Sequence, residues 1–237
     1  MYPILKKEFN SFFSSSIAYL VIGVFLVSNG LFLWVFNGEL NILNTGFADI
    51  KSFFFLAPWL FLFLIPAITM KSFADEFNTG TIEILQTKPI DNWQMVLGKF
   101  WASLLLIVIS ILPTFIYVFS INTLANPKGN IDFGTILGAY FGLLFLGTTY
   151  AAIGLFASSL TKNQIVAFIT SISITFFLFY GVDEIANIFQ NITILKLGIK
   201  SHFICISRGV IDSRDIVYFI SVTLFFLFIT KKKLDNE

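Results

Sequence analysis

Six stretches of this chain, at residues 17–36, 53–70, 100–121, 135–157, 165–181 and 216–230, contain no Asp, Glu, Lys, Arg or His. A bilayer core about 30 Å thick takes roughly 20 residues of helix. A helix is also one of the two structures that satisfy their backbone polar groups within lipid. The stretches therefore predict an all-α polytopic membrane protein with six transmembrane helices, the last two of them short. Of the 237 residues, 57% are hydrophobic and only 12% charged, more apolar surface than a water-soluble domain of this length could bury. Pro58, Pro66 and Pro113 fall inside the second and third spans, where they predict kinks whose freed carbonyls neighbouring helices must satisfy.

The first apolar run is about twice the length of a signal-peptide core and lacks a small-x-small cleavage site, so we expect a retained span. Ahead of it, Tyr2, Leu5, Phe9 and Phe12 recur at helical spacing with Lys6, Lys7 and Asn10 turned away. That pattern predicts a helix over residues 2–15 lying in the membrane interface. With the N-terminus inside, the cytoplasmic connections carry Lys6, Lys7, Lys71, Lys88, Lys99, Lys162 and Lys231 to Lys233. The outer set is Lys51, Lys128, Lys196, Lys200, Arg208 and Arg214. The triple lysine directly after the last span is the strongest element of this bias, and both termini are expected in the cytoplasm.

In the outer loop, 182–215, Ile185, Ile188, Phe189 and Ile192 predict a short amphipathic helix. Gly134, Gly138, Gly142, Gly147 and Gly154 form a small stripe along the fourth span, continued by Ala151 and Ser158. Small residues at this spacing let helix backbones approach closely in lipid, and packing within the bundle is favoured over a dimer seam. Hydroxyls at Thr170, Ser171, Ser173 and Thr175 fit bonding to carbonyls within the bundle.

Several function classes are disfavoured. A net charge of +1 gives no basic face for nucleic acid. One His and one Cys, His202 and Cys205, are too few for a zinc site. Ion-driven carriers normally keep charged relays within their spans, and these stretches have none. The only Gly-Lys pair, Gly98-Lys99, lacks the upstream Gly of a phosphate loop and is followed by Phe100, so the chain binds no ATP by that route. No cofactor is expected. What remains is a membrane subunit that borrows energy from a partner or anchors one.

The connection from Lys71 to Lys99 is the largest on the cytoplasmic side. Asn78 and Gly80 terminate one helix, "TIEILQ" offers a second, Pro89 breaks it, and Asp91 with Gln94 has the spacing of a capping box for a third. Isolated short helices are unstable, so this segment needs something to pack on.

"KSFADEFNTGTIEILQTKPIDNWQMVLGKF" resembles the cytoplasmic signature of permease subunits of ABC-2-type transporters, matching at Lys71, Ser72, Ala74, Glu76, Gly80, Thr81, Glu83, Leu85, Pro89, Gly98 and Lys99. "SRGVIDSRDIVYF", residues 207–219, resembles the segment leading into that family's last span. Lys71 stands where Arg is usual, and Phe77-Asn78 replaces an often basic position. The likeness is strongest to permeases of gliding-motility-associated transporters. The resemblance implies an ABC-2 exporter domain over residues 1–237 whose coupling helix, about residues 75–85 within a coupling region 71–99, docks a separate ABC ATPase that carries the ATP. Asp75, Glu76, Gly80, Thr81, Glu83, Leu85 and Pro89 are its implied docking residues. It also implies a second permease, identical or related, and further motility-complex membrane proteins. A non-transporting membrane scaffold and, less favoured, a secondary carrier stand as the alternatives.

Overall fold

The computed structural model describes residues 1–86, 91–127, 129–209 and 212–236, with no account of the side chains at 84–86. Every regular element among the described residues is helical. They are α1 (Tyr2–Ser14), α2 (Ile17–Gly30), α3 (Ile42–Thr45), α4 (Lys51–Thr69), α5 (Lys71–Thr79), α6 (Thr81–Gln86) and α7 (Asn92–Ile111). Then follow α8 (Phe115–Leu124), α9 (Phe133–Ser159), α10 (Gln164–Phe176), α11 (Val182–Phe189), α12 (Ile192–Leu195), α13 (Ile199–Ser207) and α14 (Ser213–Asp235). Six helices are long and apolar enough to cross a membrane: Ile17–Val35, Lys51–Thr79, Asn92–Leu124, Phe133–Ser159, Gln164–Phe189 and Ser213–Asp235.

The axis of the bundle is α9. Of its apolar window 72% is buried, against 22% for Gln164–Phe189, and α4, α7, α10, α13 and α14 all pack on it. The sequence reason is the small stripe. A Cβ at Gly138 would lie 3.0 Å from the Cα of Gly209, one at Gly142 3.1 Å from Ile206, and one at Gly147 3.1 Å from Ile107. At Gly154 a Cβ would overlap the Thr69 side chain of α4, so that side chain seats directly on the α9 backbone there, which glycine permits. Gly134 is different: it is exposed, and a Cβ there would meet only Asp132, the residue capping its own helix.

Helices run further than the apolar stretches do. Pro66 does not stop α4, which leads through Met70 into α5, and Thr69 Oγ1 donates to the Ile65 carbonyl at 3.0 Å. Pro113 sits in a 3₁₀ turn, Leu112–Thr114, that joins α7 to α8. Asp91 stands at the N-cap of α7, but its side chain makes no capping bond. A π-helical segment, Phe177–Gly181, carries α10 unbroken into α11. The fifth helix thus continues to Phe189 rather than ending at Gly181, and it absorbs the start of the expected outer loop. In α11 the buried residues are Asp183 and Ala186, while Ile188 and Phe189, with Ile192 of α12, face outward at 70–76% exposure.

The helix expected to start at Asp91 is α7, beginning at Asn92, and Lys99 lies within it, fully buried although the segment 71–99 reads as a cytoplasmic connection. Likewise α1 is a helix, but its buried stripe is Ile4, Glu8 and Phe12, with Tyr2 left 73% exposed. A carboxylate replaces the expected apolar contact because Lys99 is there to receive it.

Candidate functional site

One end of the bundle gathers α1, α5, α6, the start of α7, the end of α9, the start of α10 and the end of α14. Gly80, at φ +69°, ends α5 in the left-handed region that glycine enters without strain and turns the chain into α6. Four attachments then fix α5. Ser158 Oγ of α9 accepts from the backbone amides of Phe73 and Ala74 at 2.8 and 3.2 Å. The Gln164 side-chain amide of α10 donates to Asp75. The Lys99 ammonium of α7 donates to the Ser72 carbonyl at 2.6 Å. The same ammonium lies 4.9 Å above the Phe73 ring.

The ionic centre of this end is Lys99. It donates to Glu8 Oε1 of α1 at 2.9 Å and faces Glu76 Oε2 of α5 at 3.0 Å, an ion pair without a hydrogen-bond angle. Glu76 Oε1 in turn accepts from Lys7 of α1 at 3.3 Å. One buried lysine, Lys99, thus meets two buried carboxylates, and the exposed Lys7 supplies the second cation from the rim of the cluster. The chemistry is mechanical: α1, α5 and α7 cannot separate without stripping a buried charge of its partner.

Asp75 and Glu76 are thus turned into the bundle, half-buried and buried respectively. Gly80, Thr81 and Glu83 are exposed. Thr81 pairs its hydroxyl with Thr79 at 3.0 Å. The Leu85 side chain is not described, and Pro89 lies outside the described residues. Together with Phe77 and Ile82, Gly80 and Glu83 form one wall of a groove of about 310 Å³; Ser159, Leu160, Thr161 and Lys162 form the other. Reading the sequence alone gives no role to Glu8 or Gln164. No local pattern marks them, because their partners lie 91 and 89 residues away.

Six apolar spans around a glycine-lined axis, with a helix–turn–helix braced by a buried ion cluster at one end, define a multi-pass membrane domain. The family described as ABC-2 family transporter protein matches the chain over residues 2–230, nearly its full length, and the chain belongs to that family. Membership makes it the membrane component of its transporter and implies an ABC ATPase partner and a dimeric arrangement. No curated protein matches the chain.

Proposed function

We propose that this chain is the permease subunit of an ATP-driven exporter and that α5–α6 is the element through which a separate ATPase drives it. The observation that carries this is the pairing of an exposed face at Gly80, Thr81 and Glu83 with a helix, α5, bonded to α1, α7, α9 and α10. A partner seated in the groove beside Leu160 and Lys162 touches the outer face, and any shift it imposes passes to four helices at once. Within the docking set, Gly80, Thr81 and Glu83 meet the ATPase. Asp75 and Glu76 hold the helix that presents them.

A docked ATPase moves the permease only if it binds one conformation better than the other. A difference of about 5.5 kcal/mol takes a two-state population from 1:99 to 99:1. Orientation follows the lysine distribution: α1, α6 and the end of α14 lie on the cytoplasmic side of a bacterial inner membrane, with both termini inside. The finer assignment, to a gliding-motility transporter with further motility proteins as partners, is supported by the run of motifs from Lys71 to Lys99. Deleting the chain in its host and scoring colony spreading tests that assignment separately.

Co-purification tests the coupling role. Wild-type permease co-expressed with its ABC ATPase is expected to retain the ATPase through affinity purification. Glu83→Arg is expected to insert normally and lose it. Full retention and full export by Glu83→Arg would show that α6 is not the port.

A further inference from the structure

At the opposite end of the bundle, α4, α9, α13 and the π-helical segment enclose a cavity of about 570 Å³, within the size range of small-ligand sites. Its walls are Phe54, Phe55 and Pro58 of α4, Phe179 and Tyr180, and Phe203 and Ile204 of α13. Its charged lining residues are all cations: Lys51, Lys200 and Arg208. Two of them are engaged, Lys51 with Asp49 at 3.0 Å and Lys200 with Asp183 at 2.8 Å, the latter also 5.1 Å from the Tyr180 ring. Arg208 is exposed and has no ion-pair partner among the described residues. Lys200, Phe203, Ile204, Ser207 and Arg208 recur at i, i+3, i+4, i+7 and i+8, so one face of α13 runs from cation through apolar wall to cation over about 12 Å.

From this geometry we infer that the cavity is a binding site for an anionic phospholipid, its acyl chain against the Phe54, Phe179 and Phe203 wall and its phosphate at Arg208. Charge complementarity selects the occupant. A zwitterionic lipid presents its phosphate beside its own quaternary ammonium, which offsets the attraction of the guanidinium, whereas an anionic headgroup presents a phosphate that accepts two parallel hydrogen bonds with no competing cation. A free anion gains the guanidinium and nothing from aromatic walls that a chain of methylenes covers. Two carboxylates line the adjoining smaller cavity: Asp49 is paired with Lys51 at 3.0 Å, and Asp132 is bonded into the first turn of α9 through Gly134 and Thr135, so neither is free to satisfy Arg208. The site lies at the end remote from α5–α6 and depends on no part of the coupling proposal.

Native mass spectrometry of the full-length protein, purified with an equimolar mixture of phosphatidylglycerol and phosphatidylcholine, tests it. The site predicts retained phosphatidylglycerol over phosphatidylcholine by about fivefold, the scale of one basic residue near a lipid headgroup. Arg208→Glu removes the preference, Ile204→Trp fills the cavity and lowers retention of both lipids, and Arg214→Glu, outside the lining, changes neither. Unaltered helical circular dichroism certifies each variant. Equal retention of the two lipids by the wild type overturns the proposal. So does an equal effect of Arg208→Glu and Arg214→Glu, which means general headgroup attraction. Displacement of the lipid by millimolar glycerol phosphate, marking a soluble-anion site, overturns it too, as does lipid excluded from a dimer whose second copy covers the cavity. ATPase co-purification is not part of this readout, so failure here leaves the coupling proposal standing, and the reverse.

Discussion

Lys99 is the residue on which the α5–α6 end of the bundle depends most. Its ammonium is buried among Glu8, Glu76, the Ser72 carbonyl and the Phe73 ring, and removing it takes the ion-pair partner from the buried Glu8 and leaves Glu76 with only the exposed Lys7. Lys99→Met is expected to lower stability by about 3–5 kcal/mol, the usual cost of stripping one partner from a buried pair. Thermal unfolding in detergent measures it. Adding Glu8→Leu and Glu76→Leu to that variant is expected to recover most of the loss, because an apolar set of similar size often does as well as a buried ion cluster. If the triple variant unfolds as readily as Lys99→Met alone, the cluster is not what destabilises the single variant. Glu83→Ala, on the exposed face, is expected to leave the unfolding temperature unchanged.

Among elements, α9 and the α5–α6 pair carry the packing and the turn. Gly154→Ala forces a Cβ into Thr69 and is expected to cost about 1–3 kcal/mol, while Gly134→Ala, with only Asp132 nearby, is expected to cost nothing measurable; paired unfolding curves decide. The first turn of α9 has its own pH signature. The Asp132 carboxyl is held below the usual carboxylate range by the Thr135 hydroxyl first, then by the amides of Thr135 and Gly134. A carboxyl with a depressed folded value contributes stability above its unfolded value and gives it up as pH falls through the folded one. The protection of the Gly134 and Thr135 amides, taken against the intrinsic exchange rate at each pH, is therefore expected to hold at neutral pH and to fall only under distinctly acid conditions, and Asp132→Ala is expected to lower it at neutral pH and to abolish its acid dependence. Six spans were legible because apolar runs of span length have one solution in lipid, and the Gly80 turn because glycine terminates helices locally. The burial of polar side chains was less legible. Asp75 and Lys99 fall in segments that read as helix, and Asp183 at the start of the expected outer loop, but what satisfies them is Gln164, Glu8 and Lys200, 89, 91 and 17 residues away. The same distance hid the buried face of α1, whose key contact is a carboxylate with its partner 91 residues on.

At the scale of the whole molecule, the α5–α6 end and the far cavity are joined through α9, which holds α5 by Ser158 and lines the remote cavity with Thr135. The central claim is that α6 is where an ATPase meets this chain. Position-specific cross-linking tests it most directly, and the chain's single cysteine, Cys205, makes a cysteine-free background available by one substitution, Cys205→Ser. In that background, Glu83→Cys carrying a short bifunctional linker is expected to capture the ABC ATPase in membranes, with a yield that changes when ATP is added. A cysteine at exposed Phe47, in the far-end connection between α3 and α4, is expected to capture none. No capture from position 83 beside a functional ATPase, or equal capture from both ends, would contradict the account.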